Sequence, residues 1–278
     1  MKKIVVIFAI SFHCVLFGQS IVSYKDCGGI LFEQFNTLDK ASAYSYDNEI
    51  YSIGRTFTFS YSFTKDSLTQ LFVYDGDTRV WELVDTGVAS DNAVRTFTLS
   101  VINDLFPKKI YDYVVSLGQS VSEYAFYDNN SQRLPIQENP GLVENPKNIW
   151  MHPPRAMLFR ILELNPFPYV KYPIKKGSKW GWKLTIGNQW GDSRWVEWDK
   201  AIVNRYKYCI VETNHSLLTP MGQLDCAVIK ATANNRVGKT SALFYFNKKY
   251  GFLRLDYLNI DGSTISIELT NVSDICTP

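Results

Sequence analysis

The sequence predicts an all-β protein whose antiparallel sheets form a sandwich or a partly closed barrel, with one or two short helices. Three observations carry that expectation. Aromatic residues make up 15% of the chain, including 17 Tyr and 17 Phe, and such side chains favour strands and bury large areas. Apolar and polar side chains alternate over many short stretches, the period of a strand with one buried face. These stretches follow one another with little helix between them, an order that belongs to antiparallel architectures.

The elements can be justified in order. Met1-Lys2-Lys3, an apolar run over residues 4–17 and Gly18-Gln19-Ser20 have the three parts of a secretory signal peptide. The run falls short of the roughly 20 apolar residues that a spanning helix needs. Cleavage is placed near Gly18, so residues 1–18 are expected to leave. The mature chain is expected to be exported, periplasmic or extracellular, with no transmembrane segment. A lipid-modified Cys14 would need a small residue before it, and His13 stands there.

Residues 32–43 read as a short helix. Beyond Thr56, Phe57, Phe59, Tyr61 and Phe63 alternate with Thr58, Ser60 and Ser62. Strands are expected next over 68–74, 79–84, 93–101, 110–117 and 121–127, with a turn at Asp75-Gly76. Residues 134–154 hold Pro135, Pro140, Pro146, Pro153 and Pro154. Proline cannot donate to a ladder, so residues 134–164 are expected to be a linker plus a short helix or buried strand. That linker divides an N-terminal β region, 19–133, from a C-terminal one, 165–278.

In the second region, Trp180, Trp182, Leu184 and Ile186 share one face of a strand over 179–186. A strand at 195–199 follows, then strands over 205–213 and 223–232 about a loop at 214–222. Three more cover 241–246, 252–258 and 264–272. The last hairpin can be registered. A three-residue loop, Ile260-Asp261-Gly262, pairs Tyr257 with Ile265, Leu255 with Ile267 and Leu253 with Leu269, all on one face. Gly262 then stands where such a loop needs a left-handed residue, and a slip by one residue would spoil the face.

Cys14 leaves with the signal peptide, and Cys27, Cys209, Cys226 and Cys276 remain. An even count in an oxidising compartment points to disulfides, with three connectivities open. Folding the hairpin about the middle of 214–222 sets Cys209 opposite Cys226. Cys27–Cys276 would then tie the chain ends together. No cysteine pair has zinc spacing, and neither metal nor cofactor is expected.

Charge and motifs exclude several functions. Without Lys2 and Lys3 the 29 basic residues fall to 27, equal to the 27 acidic ones. A neutral chain gives no net attraction for nucleic acid or an anionic membrane. Gly238-Lys239-Thr240 ends like a phosphate-binding loop, but Ala233 occupies the position of its first glycine. Asp75-x-Asp77 begins like a calcium loop, and Arg79 then puts a cation at the next ligand position. The mature histidines are His152 and His215, with no nucleophile elbow or zinc helix around them. A carboxylate pair of the glycosidase kind needs only two facing acids; Glu163, Asp192, Glu197 and Asp199 lie nearest the aromatic-rich region.

Trp180, Trp182, Trp190, Trp195 and Trp198 form the most unusual cluster. Indole faces stack on sugar rings, and they also make large core contacts; both readings stay open, with Trp190 the best placed for exposure. His152 and Arg155, in Trp150-Met151-His152-Pro153-Pro154-Arg155, could pin the linker or present a cation to a carboxylate or sulfate. Asp66-Ser67-Leu68 resembles a bacterial O-glycosylation acceptor.

The C-terminal part also resembles a family. Thr219-Pro220-Met221-Gly222-Gln223-Leu224-Asp225-Cys226, Phe244-Tyr245-Phe246-Asn247 and Tyr250-Gly251-Phe252-Leu253-Arg254-Leu255 are similar to strands of TapB-like domains and related exported bacterial proteins. So is Pro173 to Trp182, with Gly177 before the tryptophans. The resemblance covers about residues 165–276. It implies an antiparallel β fold and an exported location, and it brings no catalytic residues. Taken together, these readings favour a non-enzymatic exported β protein that binds a ligand or partner (glycan, lipid or envelope protein) at the cell envelope. A glycan-binding or carbohydrate-active protein using the tryptophans is the alternative, and a purely structural envelope protein a third.

Overall fold

The structure, a computed structural model, describes residues 24–27, 30–33, 48–87, 91–102 and 120–274. The signal segment, residues 34–47, the strand expected at 110–117 and Cys276 lie outside them. A short hairpin, β1 (Tyr24–Cys27) and β2 (Ile30–Glu33), stands as its own two-stranded sheet. The other strands form one sheet: β3 (Arg55–Lys65), β4 (Leu68–Asp75), β5 (Val80–Asp85), β6 (Thr96–Val101), β7 (Ser120–Tyr127), β8 (Arg133–Glu138), β9 (Gly141–Asn145), β10 (Asn148–Met151), β11 (Tyr169–Lys171), β12 (Lys179–Ile186), β13 (Ile202–Thr219), β14 (Gly222–Asn235), β15 (Gly238–Asn247), β16 (Gly251–Leu258) and β17 (Thr264–Asp274).

The main path runs β11-β10-β9-β7-β6-β3-β17-β16-β15-β14-β13-β12, with β4 and β5 branching from β3 and β8 from β7. Among the described residues every pairing between these strands is antiparallel. The sheet curls into a partly closed barrel, and its two end strands approach where the Tyr169 ring lies 5.8 Å from that of Trp180. The seam between the chain's two halves is β3 against β17, ten registered pairs from Thr264↔Thr64 to Asp274↔Arg55.

Alternation sets which face is inside. Phe57, Phe59, Tyr61 and Phe63 are buried while Ser62 between them is exposed. The same rule turns Ile265, Ile267 and Leu269 of β17 and Leu253, Leu255 and Tyr257 of β16 inward. The last hairpin keeps the expected register, with Leu255↔Ile267 and Tyr257↔Ile265. Its ladder ends at Arg254↔Glu268, one step before a Leu253–Leu269 pair. Gly262 has φ +82° and donates to the Asn259 carbonyl, the left-handed position that the loop requires.

The chain fills its own barrel. A 3-10 helix, Met157–Leu164, and the segment to Val170 pass along the concave face. Leu158, Phe159, Ile161, Leu162, Leu164, Phe167, Tyr169 and Val170 are all buried. The Phe159 ring lies 5.1 Å from Tyr61, 5.5 Å from Phe97, 5.9 Å from Phe126 and 6.0 Å from Phe72. Two backbone carbonyls of the segment are satisfied by side chains of the wall. Asn204 Nδ2 and Thr240 Oγ1 donate to the Leu164 carbonyl at 3.0 and 2.9 Å, and Tyr208 Oη donates to the Phe167 carbonyl at 3.0 Å.

Three expectations need correction. The strand expected at 195–199 is absent: Trp195 lies in a turn, and Val196 makes a single isolated bridge with Asp192. The proline-rich stretch 134–154 carries β8, β9 and β10 rather than a linker. Its prolines avoid the ladder: Pro135 lies in β8, which pairs only with β7, and Pro146 sits in the β9–β10 turn. Pro140 contributes only its carbonyl, which accepts from the Ser122 amide at 3.0 Å. The loop expected at 214–222 is also strand. β13 and β14 run on to a two-residue turn, Pro220-Met221, closed by Thr219↔Gly222. Cys209 therefore faces Lys230, and Cys226 faces His215. Four residues of β14 separate the two cysteine positions, about 13 Å at strand rise, beyond disulfide reach; both thiols are free.

Candidate functional site

His152 meets Glu163, and Arg155 meets Glu138 and Trp190, in contacts distributed along the 3-10 helix. His152 follows β10 and Glu163 closes the helix, so the path of the chain places them face to face. His152 Nε2 lies 3.2 Å from Glu163 Oε1, and its Nδ1 is 2.7 Å from the Pro153 carbonyl, which can only accept. The imidazole packs 4.5 Å from the Phe167 ring. The His152–Glu163 pair is a buried close approach rather than a hydrogen bond, because Glu163 Oε1 has no hydrogen-bond partner. Glu138, on β8, accepts the Arg155 amide at 3.0 and 3.2 Å through its two oxygens. Burial pushes the Glu138 carboxyl up to about 7, against the lowering effect of that amide and of the Arg155 charge. Sequence reading missed Glu138, because its stretch read as linker and its partner lies seventeen positions on.

The tryptophans divide between core and arginine-capped positions. Trp182 is buried, stacks 4.5 Å from Tyr206 and donates from Nε1 to Tyr208 Oη at 3.0 Å. Trp180 is half-buried and lies parallel to Tyr208 at 5.4 Å, and Trp198 is buried. Trp190, half-buried, has the guanidinium groups of Arg155 and Arg160 5.3 and 5.7 Å from its ring. Trp195 packs 6.4 Å from Trp81, and Arg194 covers Trp81 at 3.6 Å. Arg194 also binds Asp192 and holds that carboxyl below its ordinary value. Glu197 and Asp199 are exposed. The indole faces best placed for a sugar ring are therefore occupied by cations of the chain itself.

The remaining motifs resolve locally. His215 Nδ1 is 3.2 Å from Glu212, and burial pushes the neighbouring Cys226 thiol up to about 11, the reverse of an activated nucleophile. Among the described residues no Ser, Thr or Cys side chain is bonded to either imidazole. Gly238-Lys239-Thr240 opens β15 after a tight turn, with Asn235↔Gly238 as the closing pair. Asp66 and Ser67 form the β3–β4 turn with φ of +51° and +66°. Among the described residues no three His, Cys, Asp or Glu side chains gather as a metal site, and no helix is long and apolar enough to cross a membrane.

One feature was invisible in sequence. The outward positions of β12, β13, β14 and β15 carry the exposed cations Lys179, Arg205, Lys207, Lys230 and Lys239 in three successive rows, and the next row along β13 carries the acid Glu212, opposite Val228. Two open concavities cross this face, about 500 and 550 Å³, meeting at Ser241 and Leu258. Toward β17 and β3 the face turns to hydroxyls: Thr264, Ser266, Ser60, Ser62 and Thr64.

No family model matches the chain, so the likeness to TapB-like domains gains no support, and no curated protein matches it. Solved structures are similar in path. One is described as an exported protein with a YmcC-like fold from Bacteroides fragilis, at 11% identity over 82% of this chain and 99% of that one, TM-score 0.37. Another is described as a lipoprotein from Parabacteroides distasonis, at 10% identity over 81% and 97%, TM-score 0.42. A third is the hypothetical lipoprotein YmcC of Escherichia coli, at 10% identity over 85% and 94%, TM-score 0.33. No residue role passes from them to this chain.

Proposed function

We propose that this chain is exported and acts at the cell envelope as a binding protein, without chemistry of its own, through the outer face of β12–β17. The signal-like start, Met1 to Gly18, supports export. The observation that carries the choice of face is the occupied interior. Phe159, Leu162, Leu164 and Phe167 fill the concave side that a curved sheet would otherwise offer to a ligand. The open concavities lie on the opposite side. The test is quantitative lysine labelling of the purified mature protein, read by mass spectrometry with and without detergent-solubilised envelope. Protection confined to Lys207, Lys230 and Lys239 is the expected result. Labelling of those three unchanged by envelope would overturn it.

A further inference from the structure

We infer that the outer face of β12–β15 is a docking surface for an anionic phospholipid bilayer, an inference that rests on the outer-face reading above. Net charge hides this surface. The chain is balanced as a whole, yet folding sorts its charges. The register sets Lys179 and Lys230 on either side of Cys209, and Lys207 in line with Thr232, Ser241 and Leu258. Arg205 and Lys239 flank Asn234 in the next row. Five cations thus share a patch about 14 Å across, the width of four strands at sheet spacing. Acids border the patch rather than enter it: Glu212 of β13 lies one row beyond Lys230 and contacts His215 at 3.2 Å, and Asp256 of β16, held by Arg254 at 2.8 Å, and Glu268 of β17 lie on the strands beyond.

The apolar component favours a bilayer over a soluble polyanion. Leu258, 48% exposed on β16, ends the row of Lys207, Thr232 and Ser241 at the border of the basic patch, and half-buried Leu243 stands between Lys230 and Asp256. Basic side chains bordered by a projecting leucine match an interface of phosphate headgroups above acyl chains. Flexible lysine stems can reach the phosphates while their methylenes stay against the apolar layer. The concavities leave room for headgroups between the side chains.

The test is vesicle flotation of the mature protein. Vesicles of phosphatidylglycerol and phosphatidylcholine are compared with phosphatidylcholine alone, at low and high salt. Binding to the anionic vesicles only, weakened by salt, is expected. A surface lysine beside anionic lipid contributes about fivefold in affinity. The double variant Lys207→Glu/Lys230→Glu should therefore lose at least about 25-fold, while Lys207→Arg/Lys230→Arg keeps binding. Arg79→Glu, in the distant β4–β5 turn, controls for net charge and should bind nearly as well as the parent. Equal binding by the Lys→Glu double variant, or no binding by the parent, would overturn the inference. If dextran sulfate shields Lys207 and Lys230 from labelling while vesicles do not bind, the bilayer fails as partner and the outer-face reading stands. If neither vesicles nor solubilised envelope shields those lysines, both fail.

Discussion

Replacing Phe159 by alanine asks whether the barrel is filled by its own chain. The ring is fully buried and touches four others, Tyr61, Phe72, Phe97 and Phe126, from four different strands. Tyr61 is itself fixed, since its hydroxyl donates to the Val94 carbonyl at 3.0 Å and accepts the Phe72 amide at 3.2 Å. The wall cannot readily collapse into the space, so the cost falls in the range for buried Phe→Ala, about 3–5 kcal/mol. For a chain of this size that lowers the melting temperature by roughly 10 °C. Urea unfolding followed by circular dichroism is the assay, with the midpoint falling and the slope m unchanged. Arg160→Ala, next in sequence and only half-buried, serves as the control and should lose about 1 kcal/mol or less. A loss under about 1 kcal/mol for Phe159→Ala would refute the reasoning, because it would mean the ring does not plug the sheet.

Glu138 gives a pH signature. Its carboxyl sits at about 7 in the fold, against 4.5 as the ordinary value. The folded state therefore holds the proton more tightly between those values, and this contribution to stability is full below about 4.5 and lost as pH rises through about 7. Glu138→Gln should flatten that fall when urea midpoints are compared across pH 4.5 to 8; a parallel pH profile would count against it. Gly251 and Gly177 separate strain from crowding. Both have positive φ, +73° and +86°, but a Cβ at Gly251 would meet Tyr51 Oη at 2.3 Å, and one at Gly177 meets nothing within 4 Å. Gly177→Ala should cost about 1 kcal/mol and Gly251→Ala about 3 kcal/mol, ranked by thermal unfolding; equal costs would contradict the close approach. Non-reducing peptide mapping should recover Cys209 and Cys226 as separate alkylated thiols, and a linked 209–226 peptide pair would show the β13–β14 register to be wrong.

What was legible in sequence follows from how local the signal was. β3 announced itself because its apolar and hydroxyl side chains alternate without a break. The β16–β17 hairpin could be registered because one loop length alone matched six apolar positions. β8 to β10 were hidden because prolines at an edge, a turn and a carbonyl-only position look the same in sequence as prolines in a linker. The β13–β14 hairpin misled for another reason. Thr213 to Ser216 are all polar and lie at or beyond a register shift in a ribbon exposed on most positions, so the sequence shows no apolar alternation there. The tryptophans were visible as a cluster, but their arginine caps come from Arg155, Arg160 and Arg194 in separate segments. The basic face needed the register of four strands before its charges could be seen to converge.

Native-state hydrogen exchange, amide by amide and over a range of sub-denaturing urea, tests the central claim most directly. If residues 157–170 are the core of one closed unit, the amides of Phe159 and Asn165, which donate to the Ala156 and Leu162 carbonyls, will exchange only through global unfolding. They will share the free energy and urea slope of amides in β3 and β17. Rapid exchange of the 157–170 amides by local opening, with β13–β17 still protected, would contradict the account and return the concave face to the list of places where a ligand could enter.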